Sequence, residues 1–412
     1  MTSQHICVIG LGYIGLPTAA LLAKHGFSIT GVDLDHDKLS KLARGENILS
    51  EKGLNELIQM ALADNRLTVS SYPVEADIYI ICVPTPIREQ KGESKGVLPE
   101  PDMSHVHDAV SKVATTAPNG ALVILESTSP VGSTAMMADQ FKNAGRDPNS
   151  FSFAYCPERV LPGNIIWELE ENDRIVGGLN QHATERACAF YQRFVSGKIW
   201  PCKAEMAELC KLVENSYRDV NIAFANELSM ICHQLGVDVR ELIHLANQHP
   251  RVSILDAGIG VGGHCIAIDP WFIASAFPDH TPLIQTGRKV NDYKTKWVTK
   301  RIHEEAEALK ELLGRSPKIA LLGLTYKSNA SDLRESPACR IAHNLSRLYP
   351  DTVCVEPHVD NNLEGLNLDS VENVGKNSDL IIALVRHDAF AQLDQHLKES
   401  TMIIDFCGLI SD

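Results

Sequence analysis

A strand-like run from His5 to Ile9 leads directly into Gly10-Leu-Gly12-Tyr13-Ile14-Gly15, and a helical stretch from Leu16 to His25 follows. Three glycines at that spacing, between a strand and a helix, leave few options for the chain. Gly10 permits a tight turn, Gly12 lets the backbone approach a pyrophosphate, and Gly15 lets the helix pack closely on the strand. The start of the helix offers N–H groups and a positive dipole to phosphates. A second strand, Ser28 to Val32, closes on Asp33, about twenty residues past the turn, where a carboxylate accepts hydrogen bonds from a ribose. The same carboxylate repels a 2′-phosphate, so the expected cofactor is NAD. The expected contacts are Gly10, Gly12, Tyr13, Ile14, Gly15 and Asp33. Lys38 either touches the adenosine side or is simply solvated.

Further apolar runs, Ile78 to Val83 and Leu122 to Leu125, alternate with helical segments, which implies βαβ units and a parallel sheet. Thr85 and Thr128 lie just past these runs, at strand ends where such sheets bind ligands. Each is either a cofactor contact or an ordinary turn residue. Strand-like segments at Phe151 to Pro157 and Arg174 to Val176 extend the first region. From Lys203 to Leu235 the periodicity is helical without a Pro or Gly, and a second helical tract runs from Thr286 to Leu313. Strand signals return at Ile319 to Leu322, Thr352 to Val355, Leu380 to Val385 and Met402 to Phe406. The expected fold is α/β in three parts: an N-terminal Rossmann-type domain (1–200), a central helical, dimerising region (201–312) and a C-terminal Rossmann-like domain (313–412). The last lacks the three-glycine turn. A chain of 412 residues is too long for one ordinary domain.

A net charge of −14 argues against a nucleic-acid partner, whose binding face is normally basic. No run of about 18 apolar residues is present to span a membrane, and no signal peptide is expected, since the first residues show no basic segment followed by an apolar one. None of the eleven cysteines is spaced as Cys-x-x-Cys, so no metal is expected, and the thiols read as those of a cytoplasmic protein.

One cysteine has a different setting. The segment Gly258-Ile-Gly-Val-Gly-Gly263-His264-Cys265 holds four glycines in six residues and runs on to Asp269. Glycines let backbone approach a bulky ligand. Cys265 is then either a nucleophile or a buried, inert thiol. Lys211, Asn215 and Arg218 share one helix face, which either holds a polar substrate or is a solvated stripe. Glu158, in the loop Tyr155-Cys-Pro-Glu158-Arg159-Val160, is either a general base for water or a plain surface acid.

Taken in order, these motifs resemble the UDP-glucose/GDP-mannose dehydrogenase family over nearly the whole chain. The markers are the three-glycine turn, Glu126-Ser-Thr128-x-Pro-Val-Gly132, Pro157-Glu158-Arg159, Lys211 through Asn215, Gly262-Gly-His-Cys265 with Asp269, and Gly323-Leu-Thr-Tyr-Lys327 with Asp332-x-Arg334-Glu-Ser. The resemblance implies oxidation of a sugar C6 alcohol to a carboxylate, with two hydrides passed to NAD and no free aldehyde. It implies that Cys265 captures the aldehyde and that the resulting thioester is hydrolysed with Glu158 as base. Lys211 and Asn215 would polarise oxygen and position water, and Asp269 would tune the site. Lys211, Asn215, Arg159, Val160, Arg218, His249, Arg251 and Gly262 fall on sugar- or phosphate-holding positions. Tyr326, Lys327 and Arg386 fall on the nucleotide side, and Arg334 on a position that reaches NAD. Residues 249–251 would serve a neighbouring subunit, hence a homodimer. The segments Cys156 to Gly163, His249 to Val252 and Cys265 to Phe272 imply UDP-N-acetylmannosamine as the substrate, for surface polysaccharide. UDP-N-acetylglucosamine and UDP-glucose are the alternatives. The rival readings are a two-electron β-hydroxyacid dehydrogenase and a non-catalytic NAD-binding regulator.

Overall fold

The computed structural model describes residues 4–46, 48–49, 51–88, 98–161, 163–263, 265–359, 363–391 and 393–410. The chain divides into two compact units, Met1–Glu214 with Trp271–Phe277, and Asn215–Pro270 with Pro278–Asp412.

The first unit is built on β1 (His5–Ile9), β2 (Ser28–Val32), β3 (Leu67–Ser70), β4 (Ile78–Ile81), β5 (Leu122–Leu125), β6 (Ser152–Tyr155), β7 (Arg174–Gly178) and β8 (Ile199–Lys203). Their order is β3-β2-β1-β4-β5-β6-β7-β8. Every residue of β4 and β5 is buried, as strands covered by helices on both faces must be. The sheet is not wholly parallel as expected: β7 runs antiparallel to β6, pairing Ala154 with Gly178. β3 and β8 were not expected. β8 lies at the sheet edge, where Pro201 is tolerated because no outer neighbour needs its N–H.

The second unit contains a sheet of β9 (Ile319–Leu322), β10 (Val353–Val355), β11 (Asn367–Leu368), β12 (Leu380–Ala383) and β13 (Met402–Asp405). All its pairings are parallel, in the order β11-β10-β9-β12-β13. Both long helices match expectation closely, at Ala204–Leu235 and Pro282–Leu313. The second starts four residues before the expected Thr286, because Pro282 sits in the first helical turn, where its missing N–H costs nothing. It ends at Gly314, whose φ of 64° suits a left-handed cap.

Within the second unit these two helices are held together by buried polar groups. Asp219 and Arg288 pair at 2.6 Å with almost no exposure, and Asn226 donates to Asn291 at 2.8 Å. Gly287 allows the close approach, since a Cβ there would lie 3.2 Å from Val220. The expected α/β class is the one observed, with two sheets and, between them in chain order, two long helices.

Candidate active site

The turn after β1 is shaped as its glycines require. A Cβ on Gly10 would sit 2.6 Å from the Cys82 carbonyl oxygen, and one on Gly15 would sit 1.8 Å from that of Gly10. A Cβ on Gly12 would meet nothing within 4 Å. Gly10 and Gly15 are therefore fixed by protein packing, while Gly12 borders open space at the start of the helix Gly15–Lys24. That is the cradle a pyrophosphate needs, so the residues present fit a dinucleotide. Tyr13 is exposed and Ile14 half-buried beside it.

Asp33 closes the cradle. Its carboxylate accepts from Leu11 N at 2.9 Å, Asp35 N at 3.0 Å and Lys38 Nζ at 2.8 Å. Burial alone would raise its pKa, but Lys38 and the two N–H groups outweigh that and hold it below the usual carboxylate range. Lys38 is thus neither simply solvated nor unengaged. Thr85 and Thr128 are half-buried beyond the ends of β4 and β5.

Glu158 follows β6 and is partly buried, with its carboxylate turned back onto Val160 N. Desolvation pushes its pKa above the ordinary value, opposed by the nearby charge of Lys211, the Val160 N–H and the charge of Arg174. It is not a plain surface acid. Beneath it lies a polar cluster that the sequence did not reveal. Tyr191 donates to Glu126 at 2.6 Å, and the Cys82 thiol lies 3.4 Å from the other Glu126 oxygen. Arg174, 2% exposed, donates through Nη2 to Leu169 O at 3.2 Å. Its Nε and Nη1 are buried and have no hydrogen-bond partner among the described residues. Arg159 is held by Glu214 at 2.8 Å, and Val160 is packed against the core.

Lys211 is 8% exposed, so it does not belong to a solvated stripe; Asn215 is half-buried and Arg218 is exposed. In the second unit, Asn215 donates to Asp269 Oδ2 at 2.5 Å. Asp269 is 2% exposed and begins the helix Asp269–Ala276. The Cys265 carbonyl accepts from Ile268 N at 3.0 Å and Asp269 N at 2.8 Å, so Cys265 opens the turn that leads into this helix. Cys265 is half-buried.

The glycine-rich loop before it is used differently from expectation. A Cβ on Gly260 would lie 2.4 Å from Thr295 Oγ1, and one on Gly262 would lie 2.7 Å from both Glu335 O and Pro337. Gly263 donates to Arg334 O at 3.1 Å, and its Cβ would meet the Tyr326 ring at 3.0 Å. The missing Cβ atoms at these three positions let neighbouring protein come close. His264 falls outside the described residues.

Tyr326 and Lys327 are half-buried in the loop after β9, with the Lys327 ammonium 5.9 Å from the Tyr326 ring. Arg334 is exposed and forked onto Asp332 at 2.7 Å. Arg386 donates to Gly408 O at 3.2 Å and borders a cavity of about 530 Å³ shared with Lys294, Trp297 and Asp405. His249 and Arg251 are exposed past the helix Val239–Ala246.

Two doubly wound sheets, one with an open three-glycine cradle and a closing carboxylate, define a dinucleotide-dependent α/β protein. The chain matches the models of three domains of one family: the NAD binding domain (4–195), the central domain (205–293) and the UDP binding domain (320–412). It belongs to the UDP-glucose/GDP-mannose dehydrogenase family, and is an NAD-dependent dehydrogenase with that family's three-domain architecture. It is 42% identical to a UDP-N-acetyl-D-mannosamine dehydrogenase of Escherichia coli (strain K12), over 99% of this chain and 100% of the relative. It is also 42% identical to an NDP-N-acetyl-D-galactosaminuronic acid dehydrogenase of Ralstonia nicotianae, over 98% and 96% of the two chains. Among solved structures, a UDP-D-ManNAc dehydrogenase from Pyrococcus horikoshii superposes with a TM-score of 0.88 at 36% identity, covering 99% of this chain and 96% of that one.

Proposed function

We propose that this protein oxidises the C6 alcohol of UDP-N-acetyl-D-mannosamine to the carboxylate, holding the intermediate on Cys265. The observation that carries the reading is the placement of Cys265 at the turn into a helix whose first residue, Asp269, is bonded to Asn215, one helical turn beyond buried Lys211.

When bound, NAD+ supplies the acceptor for the two hydrides that leave C6, first from the alcohol and then from the thiohemiacetal, giving two NADH per sugar. Lys211 stabilises negative charge developing on the C6 oxygen, strongly so because it is buried. The Cys265 thiolate adds to the aldehyde carbon, forming the C–S bond and an oxyanion that takes up a proton. Once oxidised, this adduct is a thioester. Glu158 takes a proton from water, the hydroxide oxygen bonds to the thioester carbon, and the C–S bond breaks to return the thiolate. The raised pKa of Glu158 supports that role, since it brings the base closer to working pH. Asp269 and Asn215 order the water.

Segments 1–200, 201–312 and 313–412 divide cofactor binding, catalysis with dimerisation, and nucleotide binding. Arg159, Val160, Arg218 and Gly262 hold the sugar and phosphates, Tyr326, Lys327 and Arg386 the nucleotide, and Arg334 reaches NAD. A homodimer is part of the proposal. Tyr217, Phe224 and Ile231 recur every seven residues as an exposed apolar stripe on the long helix, with Leu235 beyond them. His249 and Arg251 then serve the neighbouring site. The reaction is placed in the cytoplasm, in line with eleven free thiols, and its acidic product would feed surface polysaccharide.

The test is to incubate the enzyme with NAD+ and each of UDP-N-acetylmannosamine, UDP-N-acetylglucosamine and UDP-glucose, counting NADH and weighing the product. Two NADH per UDP-N-acetylmannosamine is expected, with acid as product. One NADH per sugar, or full acid formation by Cys265→Ser, would overturn the covalent route.

A further inference from the structure

The two sheets share a construction but use it differently. The order β3-β2-β1-β4-β5 in the first recurs as β11-β10-β9-β12-β13 in the second. Each central strand is followed directly by a glycine in the left-handed region, Gly10 at φ 90° and Gly323 at φ 83°. Gly10 donates to Val32 O at 2.7 Å, and Gly323 donates to Val355 O at 2.9 Å. The next N–H in each case meets a carboxylate at the end of the neighbouring strand. Leu11 N donates to Asp33 at 2.9 Å, and Leu324 N donates to Glu356 at 2.7 Å.

Beyond that point the two part. After Gly10 the helix Gly15–Lys24 begins almost at once, and Asp33 stays half-buried at the open cradle. After Gly323 the chain makes an excursion over 324–336 before the helix Pro337–Leu348. The Glu356 side chain is fully enclosed, and so is that of His387 against it. The counterpart in the second sheet of Asp33, the acid at the open cradle, faces only protein.

What Glu356 and His387 hold is the loop of Tyr326 and Lys327. Glu356 Oε2 accepts from Leu324 N and from Thr325 N at 3.1 Å, while Oε1 accepts from His358 N at 3.0 Å. His387 Nδ1 accepts from Asn329 N at 3.0 Å, which leaves the proton on Nε2, 3.3 Å from Glu356 Oε2. Thr325 Oγ1 donates to Lys327 O at 2.9 Å and lies 3.3 Å from His387 Nε2. Asp388 N donates to Asn329 Oδ1 at 3.0 Å. The rings of Phe390 and His358, centred 5.3 and 4.8 Å away, hold the imidazole in place. Apolar side chains in this position would fill the space and strand these N–H groups without acceptors. Burial alone would raise the Glu356 pKa, but the His387 ring and the N–H groups of Leu324 and His358 outweigh it, so the carboxylate remains a charged acceptor.

We propose that His387 and Glu356 are positioning residues for the nucleotide half of the substrate: without touching it, they hold 324–329 in the shape in which Tyr326 and Lys327 meet it. The proposal rests on the reading of Tyr326 and Lys327 as nucleotide contacts. A loop ordered before binding spares the ligand the cost of ordering it, so losing the clamp reduces affinity at the nucleotide end alone.

The test is calorimetric titration of the whole enzyme with UDP alone, beside KM and kcat, for His387→Phe, His387→Asn, Glu356→Gln and Lys327→Ala. His387→Phe is expected to weaken UDP binding about tenfold and raise the UDP-sugar KM in step, with the NAD+ KM and kcat within about twofold of wild type. His387→Asn, which keeps an acceptor near the Nδ1 position, should recover part of the affinity. If His387→Phe does not fold, Glu356→Gln decides, since its shape is retained while one acceptor becomes a donor facing Nε2–H. Wild-type UDP affinity in a folded clamp variant, or a NAD+ KM that rises equally, overturns the clamp. Loss in Lys327→Ala with none in His387→Phe overturns the clamp and leaves the contact reading standing. Unchanged UDP affinity in Lys327→Ala overturns the contact reading.

Discussion

The side-chain amide of Asn215 donates to Asp269 Oδ2 at 2.5 Å, joining the long helix to the first residue of the helix that Cys265 introduces. The pair needs a donor at 215. Asn215→Asp would set two carboxylates against each other in a largely buried place, where both cannot ionise. We expect kcat to fall about a hundredfold at alkaline pH, and by less at mildly acid pH, where the pair holds a shared proton. A pH–rate profile of the variant against wild type checks this; a loss of constant size across pH would show that the charge clash is not the cause.

Glu158 carries two linked expectations. Its pKa is raised chiefly by desolvation, so the proposed hydrolysis of a Cys265 thioester should quicken with pH through a range above that of an ordinary carboxylate. Glu158→Gln should slow this step by about 10²–10⁴-fold and leave the acyl group on Cys265, visible as added mass on the intact protein. The stability sign follows from the same shift. A carboxyl group with a raised folded pKa favours the fold fully below its unfolded pKa, and that contribution is lost as pH rises through the folded value. Glu158→Gln should therefore melt above wild type at neutral and alkaline pH, with the gap closing in acid. Thermal melts across pH read it directly.

Asp33 and Lys38 lie 2.8 Å apart, and the acid neutralises the ammonium. Asp33→Ser removes the proposed ribose acceptor and leaves the cation unmatched beside it. Loss of hydrogen bonds to a charged group costs about 1.5–3 kcal/mol, so kcat/KM for NAD+ should drop roughly ten- to hundredfold. NADP+, whose 2′-phosphate Lys38 can now meet, should lose less or gain. The ratio of the two kcat/KM values is the measurement, and an unchanged ratio would mean that Asp33 does not select the cofactor.

Much of this was legible in the sequence, for reasons visible in individual residues. Strands such as β4 and β5 read as unbroken apolar runs because both of their faces are buried. β8 did not, since Pro201 interrupts a short strand that has no buried face to give it an apolar alternation. The reversal of β7 was hidden because direction depends on the path of the chain, not on the residues of the strand. The three-glycine turn was readable because its parts are adjacent in sequence. The cluster of Glu126, Arg174 and Tyr191 was not, because its members are far apart along the chain and meet only in the fold. Gly260, Gly262 and Gly263 show the limit of such reading. Sequence records the missing Cβ, and only structure shows that protein, from Thr295 to Pro337, comes close at each.

The glycines of the first turn allow that distinction to be tested. Gly12 and Gly15 look alike in sequence, yet a Cβ on Gly15 would lie 1.8 Å from the Gly10 carbonyl oxygen, while one on Gly12 would meet nothing within 4 Å. Gly15→Ala must push the helix Gly15–Lys24 off β1, and backbone cannot yield as a flexible side chain can. Overpacking of this kind costs about 1–3 kcal/mol or more, so its melting temperature should fall by several degrees. Gly12→Ala has room for its methyl group, and its melting temperature without cofactor should match wild type. That methyl group occupies the space left for a pyrophosphate, so the NAD+ KM should rise at least about tenfold with the UDP-sugar KM unchanged. Equal melting losses in the two variants, or wild-type NAD+ binding in Gly12→Ala, would mean that the open face of the turn is not where the cofactor lies.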